Sequence, residues 1–258
     1  MNKLGILAFA LLLFFSTMLW YLANGSLNEY LKSQIELQGH YYSGQKTTLA
    51  LADFSSNTNI ATLKQLRVAN LPSFQTENVL IIDEAYVELS TRKSEHLLTE
   101  IQQLTINKLT INTEKDANSI TNTEQLINKI SLKLAHDYPQ DYPQISAKIY
   151  AENNPELNAD LNTKLNVKVS STLHTTKNSQ STKTIEPIKK KKIRGKPQQK
   201  ILISTINIKN LELNIIEKGV TSSTQHHNIN TTTIGGAQGM ISNQIGGEIL
   251  LSLFKLAK

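Results

Sequence analysis

The chain has 258 residues, with 27 Lys and Arg, 21 Asp and Glu, and no Cys. Its formal charge of +6 equals the six positive charges of one short basic run, so 6 − 6 leaves the remainder neutral. A uniformly basic surface that binds nucleic acid is therefore not expected, and disulfides, thiolate catalysis and thiolate metal sites are excluded. The length predicts one domain, or one domain with appendages. The basic run consists of Lys189, Lys190, Lys191, Lys192, Arg194 and Lys196.

The first predicted element is an apolar, uncharged stretch from Leu4 to Ala23, which follows Lys3. About 20 such residues span the roughly 30 Å hydrocarbon core of a bilayer. A cleaved signal peptide is the rival interpretation, but its apolar region is shorter and small residues precede its cleavage site. The length favours an uncleaved single-pass anchor, and Lys3 then orients the N terminus toward the cytoplasm.

A helix and four strands are predicted after the anchor. Residues 26–39 have apolar side chains at helical spacing, and Gly39 is the expected stop. The strand segments are rich in Ile, Val, Leu and Thr, which strands prefer. They are predicted at residues 46–54, 61–68, 79–89 and 101–112.

The strand segments share a spacing pattern. Apolar residues lie two positions apart, then one pair lies three positions apart, and then the two-residue spacing resumes. Because a period of two keeps side chains on one face, the extra residue reverses the faces unless a bulge or bend absorbs it. The sequence therefore predicts a repeated bent-strand unit. The pattern is formed by Leu80, Ile82, Ala85, Val87 and Leu89, by Leu104, Ile106, Leu109 and Ile111, and by Ile206, Ile208, Leu211, Leu213 and Ile215.

The chain after these strands begins with a helix that Asn122 or Thr123 caps. The composition then changes: the tandem DYPQDYPQ predicts an extended connection, and residues 155–169 have apolar side chains four apart, as in a helix. Residues 170–200 are rich in Ser, Thr, Lys and Gln, which predicts disorder or a long loop.

The C-terminal part is predicted to hold one long strand after Lys200, a polar loop, and an amphipathic helix over residues 241–258. The resulting division is an anchor (1–23), a strand and helix region (24–136), a variable basic segment (137–200), and a C-terminal strand and helix that complete the sheet (201–258).

Several stretches resemble a known family. They are the anchor, LRVANLPSF, LIIDEAYVEL, LTINKLTINTE, a short helix after Asn118, KILISTINIKNLELNI, and TTTIGGAQGMISNQIGGEILLSLF. Together these stretches cover roughly two thirds of the chain. In this order they resemble the short membrane-anchored AsmA-like periplasmic proteins (AsmA family) of Gram-negative bacteria. The chain departs from the family in its middle segment. It departs also at Asn70-Leu71-Pro72-Ser73-Phe74, because the family's Asn-Pro-x-Gly-Phe turn contains a glycine.

The resemblance implies an α+β fold, with an N-terminal transmembrane helix followed by a curved antiparallel sheet with short flanking helices. The sheet would form an apolar groove on the periplasmic side of the inner membrane. The implied function is assistance in lipid transport or envelope maintenance, with membrane lipid and larger envelope proteins as partners. The lipid-facing residues would be Leu66, Val68, Ala85, Val87, Leu89, Leu104, Ile106, Leu109, Ile111, Ile208, Leu211 and Leu213.

The alternative is a non-enzymatic interaction or scaffold protein, whose sheet packs a closed core and whose exposed strands or basic run dock a partner. An open apolar trough favours lipid handling, whereas a covered sheet favours docking. The basic run suits anionic lipid headgroups or is a solvated loop. Nucleic acid is not expected outside the cytoplasm.

Candidate chemistry is sparse. Gly235-Gly236-Ala237-Gln238-Gly239 has no Lys-Ser/Thr pair after it, so a turn and cap is predicted. His226-His227 has no carboxylate nearby, and a solvated loop is predicted there. Asp83-Glu84 lies where the strand phase slips, and one carboxylate is expected at a bulge, pointing to water. We expect no enzymatic activity, no cofactor and no metal.

Overall fold

The computed structural model describes residues 27–90, 98–116, 118–153, 199–217, 219–231 and 233–257. The chain divides into two compact units, residues 1–134 with 198–258, and residues 135–197. The helices of the described part are α1 (27–43), α2 (Asn122–Asp137), α3 (Pro143–Asn153) and α4 (Ser242–Phe254). The strands are β1 (Thr47–Ser55), β2 (Ile60–Ala69), β3 (Asn78–Leu89), β4 (Leu98–Glu114), β5 (Lys200–Ile203), β6 (Ile206–Glu217), β7 (Val220–Thr231) and β8 (Met240–Ile241).

All eight strands belong to one open sheet, which confirms the α+β prediction. Strands β1, β2, β3 and β4 are consecutive antiparallel neighbours. Strand β4 has 17 residues, so its other edge accommodates both β5 and β6, each parallel to it. Strand β7 then pairs antiparallel with β6, and β8 with β5. The parallel pairs are a difference from the predicted antiparallel sheet. Parallel neighbours need a long connection, and residues 115–199, which include α2 and α3, separate β4 from β5.

One face of the sheet is buried. Most inward side chains of β3, β4 and β6 are almost wholly shielded from solvent, as are the apolar faces of α2 and α4. A Cβ built on Gly247 of α4 would lie 2.9 Å from both Leu134 Cδ2 of α2 and Tyr42 Cδ1 of α1, so the three helices meet there. The Tyr42 hydroxyl also donates to the carbonyl oxygen of Asn243 (2.7 Å). We infer that the buried helix faces and the buried sheet face form one core.

Helix α1 continues beyond the predicted stop at Gly39 and ends at residue 43. Gly44, with φ of +63°, follows it, and its N–H donates to the His40 carbonyl (2.7 Å), as expected of a C-terminal glycine. Gly39 serves another purpose. A Cβ there would lie 2.5–2.9 Å from the Thr47 side chain, so the glycine lets α1 approach β1 closely.

Helix α2 begins at Asn122 as predicted, but Thr121 caps it. The Glu124 N–H donates to Thr121 Oγ1 (3.1 Å), and the Thr121 N–H donates to Glu124 Oε2 (3.1 Å). This reciprocal pair is the Thr-x-x-Glu capping box. Asn122 has a different partner set, because its Oδ1 accepts from the Glu114 N–H (2.9 Å).

The second unit is described over residues 135–153. The prediction of an extended connection is wrong here, because the second DYPQ tetrapeptide leads directly into α3, with Pro143 at its first position. A proline there removes no helical hydrogen bond. Ser146 Oγ donates to the Ala135 carbonyl (2.9 Å). The predicted helix over 155–169, residues 170–198 of the predicted disordered stretch and the basic run lie outside the described residues. Lys200, at the end of that stretch, is the first residue of β5.

The C-terminal part also differs from the predictions. The single long strand is divided into β5 and β6 at Ser204 and Thr205. These two residues still bond to β4, because the Ser204 N–H donates to the Ile101 carbonyl (2.9 Å) and the Thr205 carbonyl accepts from the Leu104 N–H (2.9 Å). The predicted polar loop around His226 is strand β7. The predicted turn at Gly235 is confirmed, with φ of +97° at Gly235 and a turn over residues 236–238.

The predicted anchor at residues 4–23 lies outside the described residues. Within the described ranges, none of the helices combines the length and apolar character needed to cross a membrane.

Candidate docking edge

The three-residue step predicted from the sequence occurs in all six long strands at the same level of the sheet. The pairing keeps one register on both sides of the step: Leu66 faces Ile82 and Leu63 faces Ala85, with no Gln65–Asp83 rung between them. We call these positions the slip line. They are Ala50-Leu51, Lys64-Gln65, Asp83-Glu84, Asn107-Lys108, Lys209-Asn210 and His227-Asn228.

The slip line restores the inward face because every strand shifts phase together. Gln65 on β2 and Asn228 on β7 take up the shift with positive φ (54° each), a conformation that Asn tolerates better than most residues. As a result, residues on both sides of the line point to the same face. In β4, for example, Ile106 and Leu109 are both fully buried although three positions separate them.

Polar side chains bridge the strands along the slip line. Gln65 Nε2 donates to Asp83 Oδ1 (3.2 Å), and Asn107 Nδ2 donates to Glu84 Oε2 (2.8 Å). A hydrogen bond from Tyr86 lowers the pKa of Glu84 most, with Lys64 and Asn107 adding to it against partial burial. Glu84 is therefore an ionised surface carboxylate held by neighbours, which does not suit a general acid.

The line continues onto β6 and β7. Asn210 Nδ2 donates to the Asn107 carbonyl (3.0 Å), and His227 Nδ1 lies 2.9 Å from Asn210 Oδ1. Lys108 pairs with Glu212 at 3.0 Å, and that hydrogen bond raises the pKa of Lys108. These contacts hold the strands together on the surface away from the core.

A buried polar cluster fixes the turn at Asn70. The Glu114 carboxylate accepts hydrogen bonds from the N–H groups of Gln75 (2.8 Å) and Thr76 (2.7 Å), from the Thr76 hydroxyl, and from Asn70 Nδ2 (3.0 Å). Asn122 Nδ2 in turn donates to Asn70 Oδ1 (3.0 Å). Burial raises the pKa of Glu114, but the hydrogen bonds outweigh it and leave that pKa lowered. The hydrogen-bonding capacity of the carboxylate is thus satisfied by residues of this turn, which indicates a structural role for Glu114.

The β1 edge of the sheet is covered by α1. Three polar side chains four residues apart on α1 reach backbone groups of β1 that β2 does not use. Backbone groups on an exposed edge otherwise attract further strands, so this arrangement closes the edge. The contacts are Asn28 Oδ1 to the Phe54 N–H (3.0 Å), Lys32 Nζ to the Ala50 carbonyl (3.5 Å) and Glu36 Oε1 to the Leu49 N–H (2.7 Å).

The β7 edge is the opposite case. Strand β7 pairs with β6 alone, so within the described ranges its outer backbone groups have no strand partner. Residues 220–228 are exposed without interruption, which means that neither face of the strand is covered there. We call this feature the β7 edge.

The twelve predicted lipid-facing residues do lie together on the inward face, on both sides of the slip line. Eight of them are buried: Val68, Ala85, Leu104, Ile106, Leu109, Ile111, Ile208 and Leu211. The other four are half-buried: Leu66, Val87, Leu89 and Leu213. The inward face is therefore mostly filled by packing.

The remaining candidates lie apart. Asp83 and Glu84 occupy the slip line as predicted. His226 and His227 are exposed on β7, where a loop was predicted. No group of three or more potential metal ligands exists among the described residues.

Sequence reasoning missed β7 because neither of its faces is buried, so no apolar period marks it. One signal was available. Glu217 pairs with Val220, so a two-residue loop joins β6 to β7, and its Gly219 has φ of +80°. A glycine that supplies positive φ in a two-residue loop between strand-like segments is a hairpin signal, although the usual partner before it is Asn, Asp or Gly.

Comparisons with protein-family models, with curated proteins and with solved structures found no match to this chain.

Proposed function

We propose that this protein is a non-enzymatic interaction module that docks a partner strand on the β7 edge. The observation that carries this is the asymmetry of the sheet: α1 closes one edge with three hydrogen bonds, while residues 220–228 of β7 are exposed along another edge. Strand addition to an exposed edge supplies main-chain hydrogen bonds as the source of affinity.

The burial of the inward face of the sheet supports partner docking rather than lipid handling as the function. Eight of the twelve inward candidates are already packed, so a lipid would have to displace helices to reach them. The turn cluster and the slip line use their carboxylates as hydrogen-bond acceptors within the fold. A scaffold with a closed core needs no other chemistry.

The location follows from the sequence. The apolar stretch at residues 4–23 is proposed as a single-pass inner-membrane anchor with the bulk of the chain in the periplasm, by its length and by the AsmA-like resemblance. On this proposal the partners are larger envelope proteins and membrane lipid.

Site-specific photo-crosslinking in cells that express the full chain tests the docking role. A photoreactive residue is placed in turn at Ser222, Gln225 and Asn230 on β7, and at Leu51 and Asp53 on β1 as controls. The proposal expects crosslinked species from β7 and none from β1. Equal crosslinking at both edges, or none at β7, would refute it.

A lipid-handling role has one observation in its favour. Half-buried apolar residues persist at one end of the inward face, where Val87 and Leu89 neighbour Ala61 and Ile101 in adjacent strands. A lipid chain could meet apolar side chains at this end, because Val87 and Leu89 are not fully buried there. Mass spectrometry of gently purified full chain should then find a bound phospholipid, and its consistent absence would remove this second candidate.

A further inference from the structure

We infer that the strand that docks on the β7 edge is β7 of a second copy of this chain, antiparallel, with His227 of one copy facing Asn228 of the other. The inference rests on the proposed function, because it names the occupant of the same edge. Three observations carry it: the closure of the β1 edge, the charge-free composition of β7, and the register that the slip line imposes.

With the β1 edge closed and the terminal strand β8 only two residues long, the long edge that remains in the described part of the sheet is β7, so the β7 edge of one copy pairs with the β7 edge of another. A copy that added its β7 to the β1 of the next copy would continue into an open filament. Helix α1 blocks this, because Asn28 and Glu36 already bind the outward N–H groups of Phe54 and Leu49. Two β7 edges meet instead about a two-fold axis, which closes the assembly at a dimer.

Strand β7 has no charged residue and no proline to keep another edge strand away. Each of β1, β2, β3, β4 and β6 contains at least one charged residue, whereas β7 reads VTSSTQHHNINT, with no Asp, Glu, Lys, Arg or Pro. Lysine and proline are the residues with which natural edges resist pairing. Two copies of β7 therefore meet without opposing formal charges, and residues 224–228 of the paired stretch are exposed on both faces.

The slip line determines the register. In every antiparallel pair of long strands, slip residues face slip residues, so that inward residues meet inward residues: Ile208 faces Ile229, and Leu211 faces His226. A two-fold axis normal to the sheet makes two β7 strands antiparallel and keeps both inward faces on one side. His226 must then face Ile229 of the second copy, because a shift of one residue would oppose the faces.

The rest of the pairing follows by arithmetic. Since 226 + 229 = 455, residue i faces residue 455 − i of the second copy, and Thr224 faces Thr231 at each end. Eight residues at about 3.4 Å each give a shared edge about 27 Å long. A contact along one strand edge buries little surface area compared with most stable interfaces. We therefore expect the dimer to dissociate on dilution.

Spin-label distance measurement on the full chain in detergent tests the register. The chain has no cysteine, so Ser222→Cys provides a single labelling site, outside the eight paired residues. Position 222 faces 233, which is 11 residues away along the strand, so about 3.3 Å per residue predicts a label separation near 36 Å. Pairing along the whole of β7 would place 222 opposite 229 and predicts about 23 Å. A 36 Å distance that vanishes on dilution supports the inference, and a 23 Å distance or a monomer at every concentration overturns it.

Two lysine variants test the contact itself by sedimentation equilibrium. His227→Lys puts two lysines beside each other across the two-fold axis, which should weaken dimerisation by roughly tenfold or more. Thr221→Lys adds the same charge on the same strand outside the paired residues and should leave the dimer unchanged. Equal dimer constants for both variants overturn the inference. A monomeric protein whose β7 still crosslinks to another protein also overturns it but leaves the docking role intact, whereas loss of every β7 crosslink refutes both.

Discussion

Replacement of Glu114 by Gln should destabilise the fold by about 3 kcal/mol, because it removes the negative charge that accepts the hydrogen bonds of the turn at Asn70. The carboxylate is 5% exposed and accepts four hydrogen bonds, three on Oε1 and one on Oε2. Glutamine has one oxygen, so its amide group would face the Gln75 N–H as a second donor. One hydrogen bond to a charged group is worth roughly 1.5–3 kcal/mol, and a buried unsatisfied N–H costs about 1–3 kcal/mol, partly offset because no charge is buried.

The assay is urea unfolding of the wild type and of Glu114→Gln between pH 3 and pH 8. Because the pKa of Glu114 is lowered in the folded state, its stabilisation is fully present above the unfolded value, about 4.3, and is lost as the pH falls through the folded value. The difference between the two proteins should therefore be constant from pH 8 to about 5.5 and should shrink in stronger acid.

The matched control is Glu217→Gln, which removes an exposed ion pair with Lys115 (3.4 Å), the residue that follows β4. An exposed pair contributes about 0–1 kcal/mol, so this control should change stability little. The reasoning fails if Glu114→Gln matches Glu217→Gln, or if its deficit is the same at pH 3 as at pH 8.

Three further substitutions test individual contacts by urea unfolding. Thr121→Val removes the cap of α2 and should cost about 1 kcal/mol, and an unchanged midpoint would rule out the capping box. Gly247→Val forces a branched side chain against Leu134 and should cost about 1–3 kcal/mol, whereas a neutral effect would mean that the helices do not meet as described. Glu36→Leu strips the acceptor from the Leu49 N–H. It should increase light scattering on incubation at 37 °C, and scattering equal to wild type would show that α1 is not what protects the β1 edge.

The fold was predictable where one side of an element is buried. The positions of β1 to β4 and of α2 followed from apolar periodicity, and so did the three-residue step, because Ile106 and Leu109 must both reach the core. The sequence could not show that the step aligns across six strands, since alignment is a property of the register between them.

The docking edge was not predictable from the same signals. Residues 220–228 are exposed on both faces of the strand. The inward positions of β7 repeat the three-residue step, but three of the four are polar, so they give no hydrophobic periodicity. They are Thr224, His226, Ile229 and Thr231. Gly39 was misread for a related reason. A glycine indicates a helix end by its backbone freedom, but here it makes room for Thr47, a contact that only the tertiary structure reveals.

Residue-resolved amide hydrogen exchange on the dilute, monomeric full chain tests the central claim, that α1 closes one edge of the sheet and that β7 leaves the other open. The account predicts protection of the Leu49 and Phe54 amides, whose acceptors are side chains of α1. It predicts fast exchange at about every second amide of β7, those that face away from β6. Uniform protection along β7 in the monomer, or unprotected amides at Leu49 and Phe54, would contradict it.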